Sequence, residues 1–185
     1  GNDGLIVTGS GTQTAVYTPS ATTQGAGVVT VAPGGTISFT GLEPVDISGM
    51  LVASVASPPF PGTPLAGGNS LTVASGVDYL SGGTNQALRV TGTTNAGATN
   101  IEAVALWNNT TVVIDTTGTA GADSIIISSA NNAHGNTNLS INTGAQALDV
   151  ITVNGVVTVA GTTTLNAPTI DLNANITNIV TGATA

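Results

Sequence analysis

Few side chains in this sequence could do chemistry. The chain has one histidine, His134, no cysteine, and one cation, Arg89, against nine acidic residues. A zinc site needs three or four histidine, cysteine or acidic ligands, and a single histidine supplies too little for one. His134 lies in a turn-like run at residues 130–136, so we expect it to be a solvated turn histidine.

Catalytic arrangements are equally poorly supplied. A Ser-His-Asp hydrolase would need His134 beside a serine and an acid, and no G-x-S-x-G elbow is present. Paired carboxylates are the stronger option, because some parallel β-helices degrade polysaccharides. Asp115 and Asp123, or Asp149 and Asp171, could face one groove. Solvation at turns or outward strand positions explains Asp115, Asp149 and Asp171 without catalysis, so we predict no enzyme activity and no catalytic residue.

One segment has a calcium-like pattern. Residues 121–125, Gly-Ala-Asp-Ser-Ile, resemble half of the calcium-binding nonapeptide of repeat-in-toxin proteins, and residues 1–5 match it less well. No second copy follows residues 121–125 at a nine-residue interval. We expect Asp123 to accept backbone hydrogen bonds at a turn, and we predict no cofactor, with calcium as the alternative.

The composition excludes two classes of partner. The formal net charge is −8, whereas nucleic-acid binding and attraction to anionic membrane surfaces both require clustered cations. No apolar run reaches the ~18 residues of a membrane-spanning helix. Hydrophobic residues make up 41% of the chain but aromatic residues only 3%, so the core must be aliphatic. We therefore expect a folded chain that binds no nucleic acid and does not insert into membranes.

The clearest pattern is a run of five short segments near the C-terminus. In each, apolar residues alternate with others, and a small or turn-forming residue closes the segment. The segments are residues 151–155, 157–161, 163–167, 170–174 and 177–181, and their central residues are Val153, Val159, Leu165, Leu172 and Ile179, spaced by 6, 6, 7 and 7. Segments this short cannot bury a core alone, so each needs a similar neighbour above and below it.

Three such segments make one coil of 19 or 20 residues. This predicts an all-β fold, a parallel β-solenoid, and a right-handed β-helix by the usual crossover preference. The coil length stacks Val153 on Leu172 and Val159 on Ile179. It also stacks Asn154 on Asn173, whose side-chain amides can then form a ladder along the axis.

The same alternation recurs through the rest of the chain, with longer turns in the N-terminal part. Four prolines fall between residues 57 and 64, where they leave few backbone donors for a strand ladder. We therefore divide the chain into an N-terminal β unit (1–56), a Pro/Gly-rich linker or loop excursion (57–69) and a β-solenoid (70–185). The alternative is one continuous solenoid.

Other residues could serve surfaces. Trp107 follows Leu106 on a strand, so the two-residue period points Trp107 away from the core, towards a sugar, a subunit or a covering loop. Thr152, Thr158 and Thr164, six residues apart, could form an outward threonine face. The four N-glycosylation sequons begin at Asn108, Asn109, Asn138 and Asn175, and chance readily produces them in a chain rich in Asn and Thr.

Residues 151–181 and 121–129 resemble the β-strand repeats of large secreted bacterial surface proteins, including filamentous-haemagglutinin-like adhesins. The resemblance covers residues 71–185 and extends to 1–49 only in style. It implies a non-catalytic stalk, filament or adhesive surface outside the cell, with glycans or a cell surface as the expected contacts. Because the repeat runs close to both ends of the sequence, we expect an end-to-end homo-oligomer. A carbohydrate- or ice-binding module is the alternative, followed by a glycan-active enzyme.

Overall fold

The computed structural model describes residues 3–41, 44–57, 67–131 and 134–178. Those residues form 18 strands, arranged in parallel and mixed sheets, none of which closes on itself. The all-β prediction is therefore confirmed. β-branched residues at alternate positions and turns rich in Gly, Asn and Ser favour short strands of this kind.

Sheet A contains nine strands. They are β1 (Leu5–Thr8), β5 (Val45–Ser48), β7 (Ser70–Val77), β8 (Gln86–Thr94), β9 (Thr99–Asn100), β10 (Val104–Trp107), β12 (Ser124–Ile127), β14 (Val150–Val153) and β17 (Thr169–Leu172). Their order is β1-β5-β10-β8-β7-β12-β14-β17, with β9 beside β8. Strand β8 is antiparallel to its neighbours β7, β9 and β10, and the remaining pairs are parallel.

Sheet B contains seven strands. They are β2 (Thr14–Pro19), β3 (Ala26–Ala32), β4 (Thr36–Thr40), β6 (Val52–Ala56), β11 (Thr111–Asp115), β13 (Asn138–Asn142) and β16 (Thr163–Asn166). Their order is β16-β13-β11-β6-β2-β3-β4. The two antiparallel pairs are those that β3 makes with β2 and β4, and the other pairs are parallel. Sheet C pairs β15 (Val157–Val159) with β18 (Ile176–Asn178) in parallel.

From β10 to β14 the chain passes alternately between the two large sheets. Each strand from β11 to β15 pairs in parallel with a strand two or three places later in the chain. The step between paired residues is 27 from Thr111 to Asn138. It is 19 from Val150 to Thr169. Val153 lies beside Leu172, and Nδ2 of Asn173 donates to Oδ1 of Asn154 at 2.9 Å. Both predicted stacks are confirmed.

The predicted stack of Val159 on Ile179 is wrong. In sheet C, Val159 lies beside Asn178 and Val157 beside Ile176, so the step there is 19 residues, as in sheet A. Ile179 itself lies outside the described residues. The apolar centres of these two segments are 20 residues apart in sequence, whereas the strands pair with a step of 19.

The proline-rich segment predicted as linker or loop lies largely outside the described residues, at 58–66. Each large sheet contains strands from before and after it, since β5 pairs with β10 and β6 pairs with β11. One aliphatic cluster fills the space between the sheets. Its largest fully buried members include Ile47, Leu88, Leu106, Ile114, Ile125, Ile127, Ile141 and Ile151, together with Tyr17 and Met50.

Candidate functional site

His134 is buried, not solvated. Its side chain is only 3% exposed, and Asn136 lies against the Nδ1 edge of the ring. The backbone N–H of Asn136 donates to Nδ1 at 3.2 Å, and Nδ2 of the same residue lies 2.9 Å from Nδ1. Nε2 is buried without a hydrogen-bond partner among the described residues. Burial lowers the pKa of His134 to about 4, so the ring is neutral near pH 7 and holds a turn in place.

Asp123 belongs to a buried polar network. Its Oδ1 accepts hydrogen bonds from the backbone N–H of Asn69 at 2.7 Å, from Nδ2 of Asn69 at 2.9 Å and from the Thr119 hydroxyl at 3.0 Å. The prediction that Asp123 accepts backbone hydrogen bonds is confirmed. Burial raises the pKa of Asp123 above its ordinary value. The carboxylate thus ties the entry to β7 to the entry to β12.

Asp149 is also buried, so its assignment as a solvated turn residue is wrong. Its Oδ1 accepts from the backbone N–H of Asp123 at 2.9 Å, and its Oδ2 accepts from that of Gln146 at 3.1 Å. The Gln146 contact lies within the turn of Asp149, and the Asp123 contact joins two turns that are distant in sequence, so the carboxylate replaces solvent for both donors. Asp123 and Asp149 therefore tie together the turns that lead into β7, β12 and β14.

Neither proposed carboxylate pair faces a common groove. Asp115 accepts from the backbone N–H and the hydroxyl of Thr117, at 3.0 and 2.7 Å, within its own turn. Asp171 is exposed on β17, beside Thr152, while Asp149 is buried. No group of three or more His, Cys, Asp or Glu residues that could hold a metal occurs in the described part of the chain.

A buried aspartate that the sequence did not single out anchors the β7–β8 hairpin. Asp46 on β5 is completely buried, and its two carboxylate oxygens accept from the backbone N–H groups of Tyr79 and Leu80, at 3.2 and 2.7 Å. Burial raises the pKa of Asp46. The alternation marks Asp46 as outward-facing, and an outward aspartate is ordinarily solvated, so the sequence held no signal for this contact.

Arg89 lies on this hairpin, and Trp107 packs against it. Nε of Arg89 donates to the carbonyl oxygen of Val77 at 2.6 Å, and its guanidinium lies 4.1 Å from the centre of the Tyr79 ring. Trp107 does point away from the main core, as predicted. It packs instead in a small second cluster with Ala87, Ala105 and Tyr79, and is 6% exposed. Trp107 is therefore covered by its neighbours, and Arg89 is held against Tyr79 and Val77.

The predicted threonine face is wrong. Thr152 lies on β14 in sheet A, Thr158 on β15 in sheet C and Thr164 on β16 in sheet B. A six-residue spacing carries the chain from one sheet to the next, so these side chains point in different directions.

Two of the sequon asparagines have structural roles in the folded chain. Asn109 is 1% exposed, and Oδ1 of Asn138 accepts from the Thr162 backbone N–H at 2.9 Å.

The open edges of sheets A and C, at β17 and β18, form the most unusual surface. Ile170 and Leu172 on β17 extend the buried columns of Ile151 and Val153, yet they are 39% and 61% exposed. Ile176 extends the column of Val157 in the same way and is 36% exposed. These apolar residues continue the columns of core residues but are left uncovered, because no described strand lies on the far side of β17 or β18.

Comparisons with known proteins add no relative. No protein-family model matches this chain, and no curated protein or solved structure proved similar to it. Among the described residues, no helix is both long and apolar enough to cross a membrane.

Proposed function

We propose that this chain is a non-catalytic structural module, a right-handed parallel β-solenoid of the extracellular or cell-surface kind that joins end to end into a filament. The observation that carries the proposal is the open terminal coil, where Ile170, Leu172 and Ile176 are patterned for a core but exposed. Isolated solenoids cover such an end with a cap, because uncovered coils expose apolar side chains and unpaired strand edges.

The strand registers support the solenoid. In sheets A and B, parallel neighbours align apolar residues with apolar residues from one strand to the next. Ile125, Ile151 and Ile170 form one column in sheet A, and Ile114, Ile141 and Leu165 form one in sheet B. Side-chain amides stack along the axis as well, since Nδ2 of Asn166 donates to Oδ1 of Asn142 at 2.8 Å. Such columns are how a solenoid buries its core.

The absence of a built reactive centre among the described residues favours a structural role. The buried carboxylates accept hydrogen bonds from backbone N–H groups at turns, as Asp46, Asp123 and Asp149 show. The support for a location outside the cell is the sequence resemblance of residues 71–185 to filamentous-haemagglutinin-like surface proteins. There a scaffold with one cation in its whole sequence offers trypsin-like proteases little to cleave.

The test is the mass of the intact chain in solution at rising concentration, by light scattering or sedimentation. We expect masses that grow with concentration and short fibres in electron micrographs. Leu172→Lys should suppress this growth by placing a charge in the terminal column. Leu148→Lys is the matched control, because Leu148 is even more exposed, at 77%, but lies in a turn. A wild-type chain that stays monomeric throughout would refute the assembly.

A further inference from the structure

The two ends of sheet A have strands of the same direction. Three parallel pairs connect β7, β12, β14 and β17, and two connect β1, β5 and β10. The groups are joined through β8, which is antiparallel to both β7 and β10. Two reversals restore the direction, so β1 and β17 run the same way. Each has one paired edge and one open edge among the described residues.

Sheet B has the same property. Strand β4 is antiparallel to β3, which is antiparallel to β2, and parallel pairs then lead from β2 to β16. Strands β4 and β16 therefore also run the same way. A copy placed head to tail presents strands of matching direction to both sheets, whereas a two-fold pairing of identical ends would bring antiparallel strands together.

We propose that β17 of one copy pairs in parallel with β1 of the next copy, with Leu172 beside Val7 and Asn173 beside Thr8. This proposal rests on the end-to-end assembly proposed above and specifies its contact. The occupant of the open end is thus a second copy of this chain, which continues sheet A by the ladder that already joins β14 to β17.

The side-chain pattern selects this register. Val7 belongs to the core and Leu5 packs against it, so Leu5 and Val7 continue the columns of Ile170 and Leu172. A slip of one residue would turn every apolar side chain to the wrong face. A slip of two residues in one direction places Asp3 beneath Ile170, and in the other it leaves Leu5 uncovered. The chosen register matches two apolar residues with two.

The polar position beside these columns also fits. Asn173 donates Nδ2 to Asn154, which leaves its Oδ1 directed along the ladder as an acceptor. Thr8 is exposed, and it follows Val7 as Asn173 follows Leu172. In the proposed register the Thr8 hydroxyl lies in position to donate to Oδ1 of Asn173. Axial side-chain ladders of this kind stabilise stacked strands.

Disulfide trapping tests the register, since the chain has no cysteine of its own. Directly opposed residues on neighbouring strands are close enough for a disulfide. The double variant Thr8→Cys/Asn173→Cys should form, under mild oxidation, a series of linked species of two, three and more chains. The single variants should form none alone, and a mixture of the two should give a linked dimer. Thr8→Cys/Thr84→Cys, with its second cysteine in an exposed hairpin loop, is the control.

Two failures are distinguishable. If wild-type mass still rises with concentration but the double variant does not crosslink, or if Asn173→Cys alone crosslinks, the register is wrong while assembly stands. If the mass of the reduced double variant and of the wild type stays that of one chain at every concentration, the assembly fails and the contact with it.

Discussion

At the scale of single residues, buried polar side chains accept hydrogen bonds from backbone N–H groups at turns, where water would otherwise do so. Asp46, Asp123 and Asp149 each accept backbone N–H groups from another part of the chain. The sequence predicted such a role for Asp123, because a turn surrounds it. It could not predict the burial of Asp149 or His134, since that depends on which loop covers them, and residue type alone says nothing about covering loops.

The buried ring of His134 predicts a pH-dependent stability. The folded-state pKa of about 4 lies below the ~6.5 expected when unfolded. The unfolded chain therefore binds a proton first as pH falls, and stability is lost from about pH 6.5 down to pH 4. A shift of this size corresponds to about 3 kcal/mol of unfolding free energy.

The matched variant is His134→Asn, which retains an acceptor for the Asn136 N–H and does not titrate. Denaturant unfolding at several pH values should show the free-energy difference between wild type and variant shrinking or reversing between pH 7 and 4, then levelling. A difference that stays constant over this range would contradict a buried neutral ring.

At the scale of elements, alternation predicted strands well and partners poorly. Most predicted segments coincide with strands, from β1 (Leu5–Thr8) to β17 (Thr169–Leu172). The hairpin β7–β8 enters sheet A between β10 and β12, and only coil-to-coil parallel pairing was predicted there. Alternation fixes which face of a strand is buried. It does not specify whether the neighbour is parallel, because both pairings accept the same pattern.

The turn after β14 approaches the backbone at the end of β12 closely at Gly155. Its N–H donates to the Ile127 carbonyl oxygen at 3.1 Å, and a Cβ added there would overlap the carbonyl oxygen of Ser128. Gly155→Ala should therefore cost about 2–4 kcal/mol of unfolding free energy. Gly35→Ala is the control, because a Cβ at Gly35 has open space, and it should change stability by no more than about 0.5 kcal/mol. Equal effects in denaturant melts would rule out this close approach.

The placement of Arg89 predicts resistance to trypsin. Arg89 is the only cleavage site in the sequence. It lies within β8, between β7 and β10, with its side chain bonded to Val77. The folded chain should remain intact for hours, and the urea-unfolded chain should give two fragments. Thr84→Lys, in the exposed hairpin loop, should be cut in the folded state. Rapid cleavage of the folded wild type at Arg89 would show that β8 opens easily.

At the scale of the whole molecule, resistance to local opening should decrease from the interior strands of sheet A towards its end strand, β17. Strands inside sheet A, such as β12 and β14, have neighbours on both sides, whereas β17 has one and its apolar residues are partly exposed. Local opening is easiest where few apolar contacts hold a strand. In dilute protein, amide hydrogen exchange should therefore be fastest in β17 and β18 and slowest in the interior strands.

Assembly should change this gradient at two places together. If β17 pairs with β1 of the next copy, exchange in both strands should slow as protein concentration rises, since each gains a hydrogen-bonded neighbour. The interior hairpin β7–β8 already has neighbours on both sides and should exchange at the same rate throughout, which makes it the internal control. Exchange measured by mass spectrometry on peptic fragments resolves these regions. If β17 slows without β1, the terminal coil is covered by something other than the head of another copy, and the axial filament is refuted.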